Sequence, residues 1–125
     1  MARILVIEDN AANLELVRYL LAFRGHTVLT ARDGAQGVAT ALEQRPDLVI
    51  CDLQMPLLDG YEVLARLREA DASRPATVAL TAFSMPKDRD AVLAAGFDGY
   101  LSKPIDPETF WAQIESFLPS ALRLV

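Results

Sequence analysis

The chain has 125 residues, 52% hydrophobic and 23% charged, with a net charge of −5, and reads as one domain able to bury a real core. No apolar run approaches the roughly 20 residues of a membrane span, and Met1-Ala2-Arg3 has no signal-peptide character. The acidic balance argues against nucleic acid or an anionic membrane as the main partner, and a single cysteine, Cys51, makes a reducing cytoplasm the expected compartment.

The first β-like run, 3–8, is continuously apolar (Ile4-Leu5-Val6-Ile7) and stops at Glu8-Asp9. A helix is expected over 11–24, striped by Leu14, Val17, Leu20 and Leu21, with Asn10 and Asn13 as capping residues and Gly25 as its stop. His26 falls in the short loop before a strand at 27–31 and is expected to be exposed. Asp33 caps a helix at 34–45 with Val38, Ala41 and Leu42 inward. The run 47–52 (Leu48-Val49-Ile50-Cys51) stops at Asp52, and Cys51 should face away from Asp52 as a small buried hydrophobe. A helix at 60–70 carries Val63, Leu64 and Leu67, and a strand at 77–81 ends on Thr81. A helix at 87–95, marked by Val92 and Leu93, stops at Gly96, and the strand 99–102 runs into Lys103-Pro104. Asp106-Pro107 caps a last helix at 107–118 with Phe110, Ile114, Phe117 and Leu118, so that Phe110 or Trp111 is left partly exposed. The remaining 119–125 is read as a tail, a frayed end or the start of a connection.

Five repeats of strand then helix predict an α/β fold, a parallel sheet with helices on both faces. In such a sheet the strand ends converge on one edge, where open α/β folds place their sites. Three carboxylates there, Glu8, Asp9 and Asp52, repel one another unless protonated or neutralised by a cation. All-oxygen ligands favour Mg²⁺, which keeps water positions that a phosphate can take. Lys103 adds a positive charge and Thr81 a hydroxyl, a set suited to an incoming phosphoryl group. Asp52 itself can be the nucleophile.

These residues, with Asp52-Leu53-Gln54-Met55-Pro56, Asp59-Gly60, Thr81-Ala82 and Lys103-Pro104 in order, make the chain resemble a receiver domain of a two-component response regulator over nearly its whole length. The resemblance implies a flavodoxin-like three-layer αβα sandwich, with a five-stranded sheet of order 2-1-3-4-5 and five helices, and residues 1–125 as a single receiver domain. It further implies that Asp52 accepts a phosphoryl group from a sensor histidine kinase or a histidine phosphotransfer protein. Mg²⁺ would be held by Asp9, Asp52 and the Gln54 backbone carbonyl, with Glu8 acting through water. Lys103 and Thr81 would sense the phosphoryl group, and Tyr100 would swing inward with Thr81. The fourth helix, fifth strand and fifth helix, including Lys87, Asp90, Ala91, Tyr100 and Trp111, would be read by a downstream target protein. Gln54 and Phe83 would tune the path of attacking water. The implied protein is a signalling switch, not an enzyme acting on a separate substrate, and a monomer or a phosphorylation-dependent dimer.

Two rival readings weigh less. A pseudo-receiver that binds a partner constitutively has no need of the intact acids, Thr81 and Lys103. A nucleotide binder or acyl-phosphate phosphatase lacks support, because Glu8-Asp9-Asn10-Ala11 has no glycine-rich cradle and Gln54 stands where a phosphatase needs a second carboxylate.

Overall fold

A computed structural model describes residues 2–70, 75–82 and 85–118. Its strands are β1 (Arg3–Ile7), β2 (Thr27–Ala31), β3 (Leu48–Asp52), β4 (Ala76–Thr81) and β5 (Gly99–Ser102). They alternate with α1 (Ala11–Phe23), α2 (Gly34–Gln44), α3 (Gly60–Ala70), α4 (Pro86–Ala95) and α5 (Pro107–Ser116). The strands pair in parallel in the order β2-β1-β3-β4-β5, the expected topology.

Alternation along each strand divides the core into layers. Ile4, Val6, Leu48, Ile50, Val78, Leu80 and Leu101 face α1 and α5, where they meet Leu14, Val17, Leu21, Phe110 and Ile114. Leu5, Ile7, Val49 and Cys51 face the other way, against Ala41, Val63 and Leu67. A third cluster, around Leu53, Leu64, Ala79, Val92 and Phe97, seats α3 and α4.

Local signals set the helix ends. The Asn10 side chain accepts from Asn13 N–H, Asp33 from Gln36 N–H, and Asp106 from Glu108 N–H, each satisfying a donor the helix start leaves open. Asn13 is the recipient of the cap and not a cap itself. Pro86 and Pro107 occupy first-turn positions, where no N–H is needed. Gly96 ends α4 at φ 110°, a left-handed conformation that costs other residues energy.

Further expectations are corrected. His26 is buried, 6% exposed, because its Nδ1 accepts the Ala2 N–H at 3.1 Å and so completes the start of β1. Leu42 and Leu93 are exposed, because each lies at the margin of its helix's inward arc. Element ends move by a residue or two, as when α5 gives way to a turn after Ser116. Phe83 and the tail 119–125 lie outside the described residues.

Candidate functional site

At the C-terminal edge of the sheet, β1 delivers Glu8 and Asp9, β3 ends on Asp52, β4 ends on Thr81, and Lys103 follows β5. Register brings them together: Asp52 pairs with Leu80, one residue short of Thr81, which in turn pairs with Ser102. The Glu8 N–H donates to Ala31 O at 3.0 Å, and the Lys103 N–H donates to Thr81 O at 2.8 Å, which pins both residues to the edge. The Lys103–Pro104 peptide is cis.

The Asp52 loop is built around its own carboxylate. Asp52 Oδ1 accepts the Gln54 N–H at 3.1 Å, the Gly60 N–H donates to Leu53 O, and Asp59 caps α3 by accepting from Glu62 N–H at 2.9 Å. A Cβ on Gly60 would sit 2.8 Å from the Asp52 carbonyl oxygen and 2.9 Å from Leu53 Cα. Only glycine therefore lets α3 start this close to the acid, which gives the Asp59-Gly60 pair a positioning role beyond that of a motif mark.

One carboxylate oxygen from each of Glu8, Asp9 and Asp52 lies within 4.8 Å of the others. Glu8 is wholly buried, Asp52 is 2% exposed, and Asp9 is partly open. Lys103 Nζ donates to Glu8 Oε1 at 3.0 Å and stands 3.3 Å from Asp52 Oδ2. One ammonium thus serves two buried carboxylates, as expected of a positive charge set opposite the acids, and the structure adds that Glu8 is its hydrogen-bond partner. Burial first, then the adjoining Asp52 carboxylate, raises Glu8 to about 7 against the pull of Lys103. Burial disfavours the Lys103 ammonium, yet the Glu8 hydrogen bond and the Asp52 charge outweigh it and hold the lysine above its ordinary value.

Glu8 Oε2 is buried without a hydrogen-bond partner. A buried carboxyl oxygen without a partner, beside two further carboxylates, is costly to leave unpaired and suited to a hard divalent cation. The donor set therefore fits Mg²⁺.

The remaining site residues are placed as follows. Thr81 is fully buried at its strand end, and the Gln54 side chain is exposed beside Asp52. Tyr100 is half-buried against the Phe97 cluster, with its phenol pushed up chiefly by burial. It lines a groove of about 700 Å³ with Pro86, Arg89, Asp90, Leu93 and Phe117. Lys87, Asp90 and Ala91 are exposed on α4. Trp111 turns instead toward α1, where its Nε1 donates to Leu20 O at 2.7 Å. Cys51 faces the opposite layer from Asp52, and burial pushes its thiol far up, which leaves it inert.

The response regulator receiver domain family model matches residues 4–115. The polar-differentiation response regulator DivK of Brucella anthropi is 36% identical over 119 residues, covering 94% of this chain and 97% of that protein. Among solved structures, the chemotaxis response regulator CheY4 of Vibrio cholerae superposes with a TM-score of 0.87 at 30% identity, covering 94% and 99% of the two chains. The receiver domain of the sensor histidine kinase PA1611 from Pseudomonas aeruginosa, described with a magnesium ion coordinated in its active site cleft, gives 0.83 at 32% identity, covering 93% and 96%. A match of that extent, on a fold of the expected strand order, places this chain in the response regulator receiver family.

Proposed function

We propose that the chain is a phosphorylatable switch in a His-Asp phosphorelay. Asp52 attacks the phosphorus of a phosphohistidine on a sensor histidine kinase or phosphotransfer protein; the P–N bond breaks, a P–O bond forms to Asp52, and the imidazole departs. The observation that carries this reading is the pairing of a nearly buried Asp52 carboxylate with Lys103, beside two further acids. The Gln54 N–H holds Oδ1, leaving Oδ2 turned to Lys103 and the edge. Lys103, already charged, is positioned to exchange Glu8 for a phosphoryl oxygen.

Asp9, Asp52 and the Gln54 backbone carbonyl would hold Mg²⁺, with Glu8 acting through water. When bound, the cation neutralises the acids and spreads the charge of the transferring phosphoryl group.

A dianionic group on Asp52 favours the state in which Lys103 and the Thr81 hydroxyl engage it, with Tyr100 turning inward. The groove beside Tyr100 supports the α4–β5–α5 face as the surface whose shape changes for a downstream target. Gln54, exposed next to Asp52, and Phe83 would tune the lifetime of the acyl phosphate; an unchanged dephosphorylation rate in Phe83→Ala removes Phe83 from that role. Residues 1–125 act in this reading as a single receiver domain in the cytoplasm. Among the described residues no helix is long and apolar enough to cross a membrane.

The test is incubation with Mg²⁺ and acetyl phosphate, read by intact mass, or with beryllofluoride, read by NMR shifts around Asp52. The native chain responds to both and Asp52→Asn to neither. No response in the native chain, or an equal one in Asp52→Asn, refutes the assignment.

A further inference from the structure

Helix α3 starts against the Asp52 loop without slack. The Gly60 N–H bonds Leu53 O, and the space that a Cβ on Gly60 would need is filled by the Asp52 carbonyl and Leu53 Cα. A shift of the Asp52 backbone therefore reaches the first turn of α3, because close-packed groups leave no empty space to absorb it. The next residue, Tyr61, reaches across to the chain just past α4. Its ring meets Phe97 in a T-shaped contact, 5.8 Å between centroids at 76°. Burial first, then the charges of Asp59 and of Asp88 on α4, hold its phenol above the ordinary value. Phe97 is the joint between α4 and β5. It follows Gly96, where the chain turns at φ 110°, and it is buried among Leu53, Leu64, Ala79 and Val92, with Tyr100 packed against the same cluster. It precedes Asp98, which is fixed to β4 twice: its N–H donates to Thr77 O at 2.8 Å, and its carboxylate accepts the Thr77 N–H at 2.7 Å. A push on the Phe97 ring is thus delivered to α4, through Val92 and Gly96, and not to β5, whose start is held.

We propose that Tyr61 is a positioning residue that carries the state of Asp52 to α4 through Phe97, a second route beside that of Thr81 and Tyr100. The inference rests on the phosphoryl reading of Asp52 given above. An aromatic pair suits the task. The edge-to-face contact is directional and attracts beyond its buried area, and a tyrosine has only two side-chain torsions in which a displacement is dissipated. Tyr61 is no part of the Asp52 pocket, so it acts on α4 and not on the phosphoryl group. At 39% exposure it is also a wall of the core and not its centre, and the fold survives its removal.

Backbone amide NMR spectra of the full chain are compared with and without Mg²⁺ and beryllofluoride, for the native protein, Tyr61→Ala, Tyr61→Phe and Phe97→Leu. The native chain responds both around Asp52 and along the end of α4 to Phe97. In Tyr61→Ala the response around Asp52 stays, and that of α4 and Phe97 falls at least about twofold. Phe97→Leu, which keeps a buried apolar side chain and removes the ring contact, gives the same loss. Tyr61→Phe keeps the ring and responds as the native chain does. Reading the change between two states of one variant subtracts the shifts caused merely by a missing ring, and circular dichroism verifies folding. An undiminished α4 response in Tyr61→Ala overturns the relay. So does a loss that Tyr61→Phe fails to rescue, or an equal loss around Asp52, which marks a damaged pocket. A native chain that is silent around Asp52 refutes the phosphoryl reading itself, and the relay falls with it.

Discussion

Replacing Glu8 with glutamine tests the charge balance at the edge of the sheet. Glu8 is raised from 4.5 to about 7, chiefly by burial and then by Asp52. A folded-state value above the unfolded one means that the folded protein holds that proton more tightly. Stability therefore falls as pH rises from 4.5 to about 7, and the whole loss is present above 7. At 1.36 kcal/mol per pH unit the loss amounts to about 3 kcal/mol. Glu8→Gln keeps the shape and removes the titration, so in EDTA its stability advantage over the native chain grows by about 3 kcal/mol between pH 4.5 and 8. Urea unfolding at several pH values measures that difference, and taking native minus variant cancels the other titrating groups. Mg²⁺ should recover much of the native deficit at pH 8 and little of it at pH 5, where Glu8 is protonated. A native-minus-variant difference that stays flat within about 0.5 kcal/mol across this range would falsify the charge balance.

Other consequences follow from single sites. His26, the only histidine, is held below its ordinary 6.5, mainly by burial. Its stabilising effect is complete above 6.5 and is lost as pH falls through the lowered value; an NMR titration midpoint at or above 6.5 contradicts this. Leu57 is 99% exposed at φ 70°, so Leu57→Gly relieves left-handed strain without losing packing. A gain of about 0.5–1 kcal/mol is expected in urea unfolding, and no gain means that the loop carries no strain. A Cβ at Gly37 would stand 2.4 Å from Ile7 Cδ1. Gly37→Ala should lose about 1 kcal/mol despite its better helix propensity, and Ile7→Val, which deletes that atom, should cost less beside it than alone; simple additivity rules out the clash. Trp111→Phe removes the bond to Leu20 O at a cost of about 1 kcal/mol, and a smaller loss shows that water replaces it.

What the sequence by itself determined is local. Continuous apolar runs marked β1 and β3 as strands covered on both faces. Asn10, Asp33 and Asp106-Pro107 marked helix starts, because capping needs only neighbours in the chain. Parallel strands all end on one edge, so the placing of Glu8, Asp9, Asp52, Thr81 and Lys103 after strands was enough to bring them together.

What only the tertiary structure decided depends on contacts distant in sequence. His26 looked like a loop residue until the backbone of Ala2 supplied its partner, 24 residues away. The choice by Lys103 of Glu8 as well as Asp52 spans 95 residues and arises because a buried carboxylate must find a cation or a proton. Periodicity left open whether Phe110 or Trp111 faces inward; Phe110 enters the core, and the Leu20 carbonyl and the Phe23 ring hold Trp111 against α1. Periodicity shows which side of a helix is apolar, but which neighbour covers that side is set by the packing of the layers.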